Sequence, residues 1–463
     1  MNIIQEISEI VISKGMKDIE EVMLEGGNIS ELTTEIEKVV NGIGRELTRH
    51  ILEETDREIR DSSERKREWN VQKRGVKKTY QTIFGEVRYE RTYYKHKQKK
   101  EFAYLSDLVF GIEPNSKVEP MIKIRAIENA IDMSYEKSGE KAAKDIKISK
   151  QSVMTEIREL GEVKKEPEIE EKKEVKNIYI EADEDHVALQ RGSNHQMKLI
   201  YVHEGIEKES KNRNKLKNII YFTGYHKNNE ERWLEIADYI EARYKLEKVD
   251  NIYLSGDGAR WIKEGLNWIV GSKYVLDKYH ISKSINTSVA HLETEKDEIR
   301  SALWGAIFNC DKERVKELYR IIIKLTEKET KKESVRKQRN YIIRNWDGIE
   351  NAKDPEYIGC SAEGHVSHVL STRLSSRPMG WSKLGANLMA NLRAYRANGG
   401  KIVDIFYANE KKQELKKKRI LVDEEIIKKR LKKTTYETRG NITVLNIGKK
   451  TWLSGYLKSV RGL

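Results

Sequence analysis

The stretch VDNIYLSGDGARWIKEGLNWIVGSKYVLDKYHISKSI, residues Val249–Ile285, decides the reading of this chain. It opens on a short apolar run, Ile252-Tyr253-Leu254, whose composition predicts a buried strand. The run breaks at Ser255-Gly256-Asp257-Gly258, one carboxylate between two glycines. An apolar helix through Trp261, Ile262, Leu266, Trp268 and Ile269 is expected next. A second strand, Tyr274-Val275-Leu276, then ends in Asp277-Lys278-Tyr279-His280. Open α/β sheets place their chemistry just past the carboxyl ends of buried strands, which is where Asp257 falls. The glycines permit a sharp turn and the close approach of a large ligand. An aspartate capping the helix at Ala259 is the plainer account of the same residue.

Upstream lie three further strand-like runs, Asn177–Ala182, Lys198–His203 and Asn218–Phe222, and an amphipathic helix carrying Trp233, Ile236, Ile240 and Tyr244. Three adjacent strands, a helix and two more strands are not a plain βαβ alternation. They predict a mixed five-stranded sheet, a hairpin meander joined to a parallel half, inside an α+β to α/β multidomain chain. Residues 177–286 form the first part of this core. Residues 287–355 read as a polar helical insertion, and residues 356–400 complete the core. In that last part Glu363, Val366, Leu370 and Leu374 recur at helical spacing, so the glutamate shares the face that packs on the sheet.

Ahead of the core, residues 1–60 read as helices that form a packed pair or a self-association surface. Residues 61–116 hold a basic β-hairpin, since apolar or aromatic and polar residues alternate over 80–94 around Gly85. Lysines and arginines, Arg74, Lys77 and Lys78 among them, flank it. They suit a DNA backbone contact or, equally, a lysine-rich sheet edge that resists aggregation. Residues 117–160 read as a mostly helical segment containing a helix-turn-helix-like pair. Ser149 would cap its second helix, and Lys150, Gln151, Thr155 and Arg158 would face outward as groove or phosphate readers. Residues 161–176, GEVKKEPEIEEKKEVK, form a charged linker and the main domain boundary. Residues 401–463 are basic, with lysine-rich clusters at 416–419 and 428–433 that suit a solvated helix face or a DNA contact.

The 463 residues carry 88 Lys+Arg against 75 Asp+Glu, a formal net charge of +13 that favours a polyanionic partner. Charged residues make up 35% and hydrophobic residues 38%, enough for buried cores under a wet surface. Cys310 and Cys360 are the only cysteines, which excludes a disulfide framework or a four-cysteine zinc knuckle and fits a reducing compartment. No run approaches the roughly 20 apolar residues that cross a bilayer, and the N-terminus is too acidic for a signal peptide. A soluble cytoplasmic protein is expected.

Three acidic positions stand where strands or helices meet the open edge of the sheet: Asp183, with Asp185 two residues on, Asp257 and Glu363. Converging carboxylates repel each other unless cations sit between them, and hard oxygen ligands suit Mg²⁺ or Mn²⁺. Two such ions can activate a water or hydroxyl and stabilise the leaving oxygen of a phosphodiester. His365, His368, Arg373 and Arg377, on or after the glutamate helix, are phosphate-binding candidates or plain helix surface.

The order strand–Asp183, strand, strand, helix, strand–Asp257, helical insertion, helix–Glu363 resembles the RNase H-like core of DDE transposases. The stretches IEADED (180–185), GDGARWI (256–262), LDKYH (276–280) and EGHVSHVLSTRLSSRPMGW (363–381) are similar to the ISLre2 family of bacterial insertion-sequence transposases, relatives of the Mutator-type group. The resemblance covers nearly the whole chain. It implies Asp183, Asp257 and Glu363 as a metal-binding catalytic triad holding two Mg²⁺ or Mn²⁺ ions, with Asp185 the alternative first member. It also implies Asp277 and His280 as a supporting pair. It implies strand cleavage and strand transfer on double-stranded DNA by a nucleoid-associated bacterial protein working as a dimer or higher oligomer. A non-catalytic DNA-binding regulator of the same architecture and an RNase H-like nuclease acting on other nucleic acids are the alternatives.

Overall fold

The computed structural model describes residues 13–409 apart from 144–146, 165–170, 191, 212 and 227. The chain divides into two compact units, Met1–Val403 and Asp404–Leu463, and of the second only the helical residues 404–409 are described. The basic clusters at 416–419 and 428–433 and the apolar residues before 13 lie outside the described residues.

The N-terminal part is built on a 33-residue helix, Ile29–Asp61, started by a capping box in which Asn28 and Glu31 bond each other's backbone. Strands β1 (Trp69–Thr82) and β2 (Gly85–His96) pack on it as an antiparallel hairpin, with β3 (Phe102–Tyr104) along β2. The hairpin is longer than the alternation at 80–94 foretold, because β1 continues back to Trp69 through two register shifts. Two buried aspartates lock the layers together. Asp56, on the long helix, accepts the Thr92 N–H at 2.9 Å, the Thr92 hydroxyl at 2.6 Å and the Ser106 hydroxyl at 3.1 Å. Asp107 accepts the Tyr89 hydroxyl at 2.7 Å and bonds Lys78 (3.4 Å) and Arg91. Lys78 therefore does not face solvent as a DNA contact. It is buried, donates also to the Glu113 carbonyl, and burial together with Arg91 lowers its pKa to about 8.

Three helices follow, Pro120–Ala130, Tyr135–Ala142 and Lys150–Leu160. Ser149 caps the third by accepting the Ser152 N–H. That helix buries Val153, Ile157 and Leu160 and leaves Lys150, Gln151, Thr155 and Arg158 exposed, the face the sequence pattern assigns. Part of the charged segment after it is docked rather than free. Lys173 donates to the Arg243 carbonyl and accepts from Lys245.

The core is a five-stranded sheet in the order β10-β9-β4-β5-β8. Strands β4 (Asn177–Ala188), β5 (Asn194–His203) and β8 (Ile220–Thr223) run as an antiparallel meander, and β9 (Asn251–Gly256) and β10 (Ser272–Leu276) run parallel to β4. A small hairpin, β6 (Ile206–Ser210) and β7 (Arg213–Leu216), interrupts the meander, an element the sequence reading lacked. Ile178, Ile180, Ala182, Ile200, Val202 and Leu254 face one large core. Helix Asn229–Arg243 and the five helices between β10 and Asn351 complete that core. The apolar helix expected after Asp257 is a single turn, Arg260–Lys263, continued as a 3₁₀ turn over Glu264–Asn267. Among the described residues no helix is long and apolar enough to cross a membrane.

Removing Asp107 strands two buried cations, so Asp107→Ala should cost about 3–5 kcal/mol of local stability. Hydrogen exchange should rise across the β1–β2 hairpin while β4 and β5 keep their protection.

Candidate metal and phosphodiester site

Strand β4 supplies the first side chain. Its period-two pleat sends Ile178, Ile180 and Ala182 to the apolar core and Glu181, Asp183 and Asp185 to the other face, where all three are buried. The Asp183 carboxylate accepts the Glu184 N–H at 2.8 Å. Burial drives its pKa up to about 7, with the negative charges of Asp257, Glu363 and Asp277 adding to the rise. Asp185 is held differently. The Ser375 hydroxyl donates to its Oδ1 at 2.7 Å, while its buried Oδ2 has no partner.

Asp257 follows β9 directly. Its Oδ1 accepts the Ala259 N–H at 2.8 Å, so the turn-forming role holds, and its carbonyl accepts the Tyr341 hydroxyl at 2.6 Å. The glycines beside it are required. A Cβ on Gly256 would lie 2.8 Å from the Ala182 carbonyl oxygen, and Gly258 has φ +86° with Asn345 against it. Asp277, buried at the end of β10, accepts the Tyr279 N–H at 3.0 Å and so caps helix Lys278–Val289, which carries His280. Glu363 is exposed on the short helix Ala362–Val366, not buried with Val366, Leu370 and Leu374 on the packed face its spacing predicts, and the helix continues into a π-wound turn, Ser367–Ser371.

Ligand atoms of Asp183, His280 and Glu363 lie within 4.8 Å of one another. Asp257, which the sequence pattern offers as a metal ligand, lies outside this trio, and His280, offered as a supporting residue, lies within it. Asp257 stays close enough to raise the proton affinity of Asp183. The two carboxylates suit Mg²⁺ or Mn²⁺, and the imidazole tilts the set toward Mn²⁺, a transition ion, over Mg²⁺. The fit is supported by the buried Nε2 of His280, which has no hydrogen-bond partner.

Of the proposed phosphate contacts near this edge, Arg377 is exposed but Arg373 is not. Arg373 donates to the Ala130 carbonyl at 2.9 Å and lies 4.7 Å over the Trp381 ring. It fastens the preceding helices to the core and does not offer itself to a ligand. On the hairpin, Arg74 and Lys77 are exposed. Lys77 lines a groove of about 690 Å³ between the long helix and β1–β2, along with Arg49, Arg60, Arg88, Glu53 and Glu90. The sequence reading missed the cluster of Glu181, Tyr201 and His203 beneath Ser361. The polar residues at alternate positions of NIYIEADED carried that signal.

A mixed sheet with acidic and imidazole side chains gathered at its carboxyl edge defines an α/β protein with a candidate divalent-metal centre. The chain belongs to the family described as Uncharacterised protein family (UPF0236), which it matches over residues 22–412. It is similar to UPF0236 proteins of Caldanaerobacter subterraneus subsp. tengcongensis. One is 44% identical over 96% of this chain and 94% of its own length, and bears a name that joins eleven loci of that organism. A second is 42% identical over 100% of this chain and 97% of its own length.

Two outcomes test the geometry. Asp257→Asn removes a neighbouring negative charge, so the Asp183 carboxyl should titrate at lower pH in a carboxyl ¹³C NMR titration. An unmoved Asp183 would place Asp257 outside the site. His280→Ala should weaken Mn²⁺ uptake, followed by electron paramagnetic resonance of the free ion, by at least about tenfold. Wild-type uptake in that variant removes the imidazole from the ligand set.

Proposed function

We propose that the protein is a DDE-type DNA transposase with an RNase H-like core. It would bind the ends of its own insertion sequence and cut and join strands with Mg²⁺ or Mn²⁺. The observation that carries this reading is the convergence of Asp183, His280 and Glu363 at the carboxyl edge of the sheet, with Asp257 adjacent. The strand order supports it, because an antiparallel meander whose first strand continues into a parallel pair is the arrangement the resemblance implies. The relative whose name joins eleven loci adds weight, since repetition across one genome is what a gene that moves itself leaves behind.

In the first step water attacks the phosphorus at the element's end and the P–O3′ bond breaks. The freed 3′-hydroxyl then attacks a target phosphodiester, forming a new P–O bond while the target's own P–O3′ bond breaks and its 3′-oxygen leaves as a hydroxyl. A divalent ion held by Asp183, His280 and Glu363 would supply positive charge to offset the charge that gathers on the reacting oxygens. The protein's own part is to hold Asp183, His280 and Glu363 in register and to keep Asp257 beside them on a turn fixed by Ala259 and Tyr341. The groove with Arg60, Lys77 and Arg88 has the charge to hold duplex phosphates, and the face with Lys150, Gln151, Thr155 and Arg158 has residues suited to bases. Two DNA ends require at least two copies. The proposed setting is the nucleoid of the bacterial cytoplasm.

The test is strand cleavage on a labelled duplex carrying the element's own ends, with Mn²⁺ or Mg²⁺, for wild type, Asp183→Asn and Glu363→Gln. Nicking at the element boundary by wild type should fall by at least about 10³-fold in both variants while duplex binding persists, the scale expected when charge stabilisation at a reacting centre is lost. Binding without cleavage by any of the three proteins would instead identify a regulator. Cleavage that survives both substitutions sinks the proposal.

A further inference from the structure

Two residues before Asp183 on the same strand lies Glu181, 2% exposed, a carboxylate the proposed chemistry does not use. It is among the most heavily bonded side chains of the core. His203 Nε2 is 3.0 Å from its Oε1. Its Oε2 accepts the Ser361 N–H at 2.6 Å, the Ser361 hydroxyl at 3.3 Å and the Tyr201 hydroxyl. Its two oxygens thus face four donors, from His203, Tyr201 and Ser361.

The donors come from three places. Tyr201 and His203 stand on the neighbouring strand β5, and Ser361 immediately precedes the helix Ala362–Val366 that carries Glu363. The Tyr201 hydroxyl also lies 3.1 Å from the Ser361 hydroxyl, and the Tyr201 ring packs 4.6 Å from that of His365. The His365 Nδ1 in turn lies 2.7 Å from the Tyr221 hydroxyl on β8. Direct side-chain bonds from Glu181 thus link β4 to the residue that immediately precedes the glutamate helix. Because Glu181 and Asp183 share one strand, the distance from Glu181 to Ser361 constrains the distance from Asp183 to Glu363.

We propose that Glu181 is a positioning residue. Its carboxylate, oriented by His203 and Tyr201, clamps the start of the Glu363 helix and sets the spacing of the Asp183–Glu363 pair. The inference rests on the metal-site reading, and its test separates the two.

Glu181→Gln keeps the shape but leaves one carbonyl oxygen where two carboxylate oxygens served four donors. In the full-length variant, amide hydrogen exchange should quicken at residues 361–366 and stay unchanged along β9 and β10. That readout needs no metal, and unchanged exchange at 361–366 overturns the proposal. On the same proteins Mn²⁺ affinity should fall about 10- to 100-fold, the range found when partners that orient metal ligands are replaced. Cleavage should lose kcat with little change in KM for DNA. Quickened exchange with wild-type Mn²⁺ affinity would show that the clamp does not govern the site, which also overturns it. If wild type itself binds no Mn²⁺, the metal reading falls and exchange alone judges the clamp. Should Glu181→Gln fail to fold, Tyr201→Phe removes one donor without stranding the others, and it must move exchange and affinity in the same direction by a smaller factor.

Discussion

The pleat of β4 is the constraint on which the rest depends. Side chains alternate along a strand, so one face of NIYIEADED can be wholly apolar while the other collects carboxylates. Ile178, Ile180 and Ala182 are buried in the largest hydrophobic cluster, and Glu181, Asp183 and Asp185 are buried on the reverse. A slip of one residue would put three acids into that cluster and three apolar side chains among the site's polar partners, so the register is strongly fixed. The same alternation gives the carboxylates different fates. Glu181 receives a full complement of donors and stays ionised, whereas Asp183 receives one backbone N–H and is driven up to about 7. One strand thus holds a satisfied anion that organises its surroundings and, two residues on, an unsatisfied one whose environment favours a cation or a proton.

Buried arginines extend this order to the N-terminal helices. Arg373 donates to the Ala130 carbonyl, and Arg393 to that of Ile131 at 2.6 Å, so both reach the end of the helix Pro120–Ala130. Arg396 and Arg393 also hold Asp132, whose carboxyl the Arg396 hydrogen bond lowers below its ordinary range. These contacts join the exposed Lys150–Arg158 face to the element that carries Glu363 through few side chains.

Local pattern carried the sequence reading a long way. Strand runs, the Ser149 cap and the residues at the sheet edge follow from short-range periodicity and spacing, which propensity and pleat control directly. The failures share a cause. Lys78 and Arg373 sit in basic surroundings in sequence, but each is buried by partners far along the chain: Asp107 and Glu113 for Lys78, Ala130 and Trp381 for Arg373. A cation in a sequence is exposed or interior according to such distant donors and acceptors, and no window of neighbours reports them.

The π-wound turn Ser367–Ser371 shows how the glutamate helix satisfies two demands at once. Val366, Val369, Leu370 and Leu374 must face inward for the helix to pack, yet Glu363 must remain outward at the sheet edge. An extra residue in one turn rotates the following helix relative to Glu363. Carbonyls of that turn accept from outside it: Arg393 donates to Val369 and, at 2.5 Å, to His368, and Thr372 Oγ1 donates to His368 at 3.1 Å. The same guanidinium that bonds the Ile131 carbonyl therefore also bonds the irregular turn that follows the Glu363 helix. An uncharged replacement of Arg393 would loosen both, because the two depend on one set of planar donors.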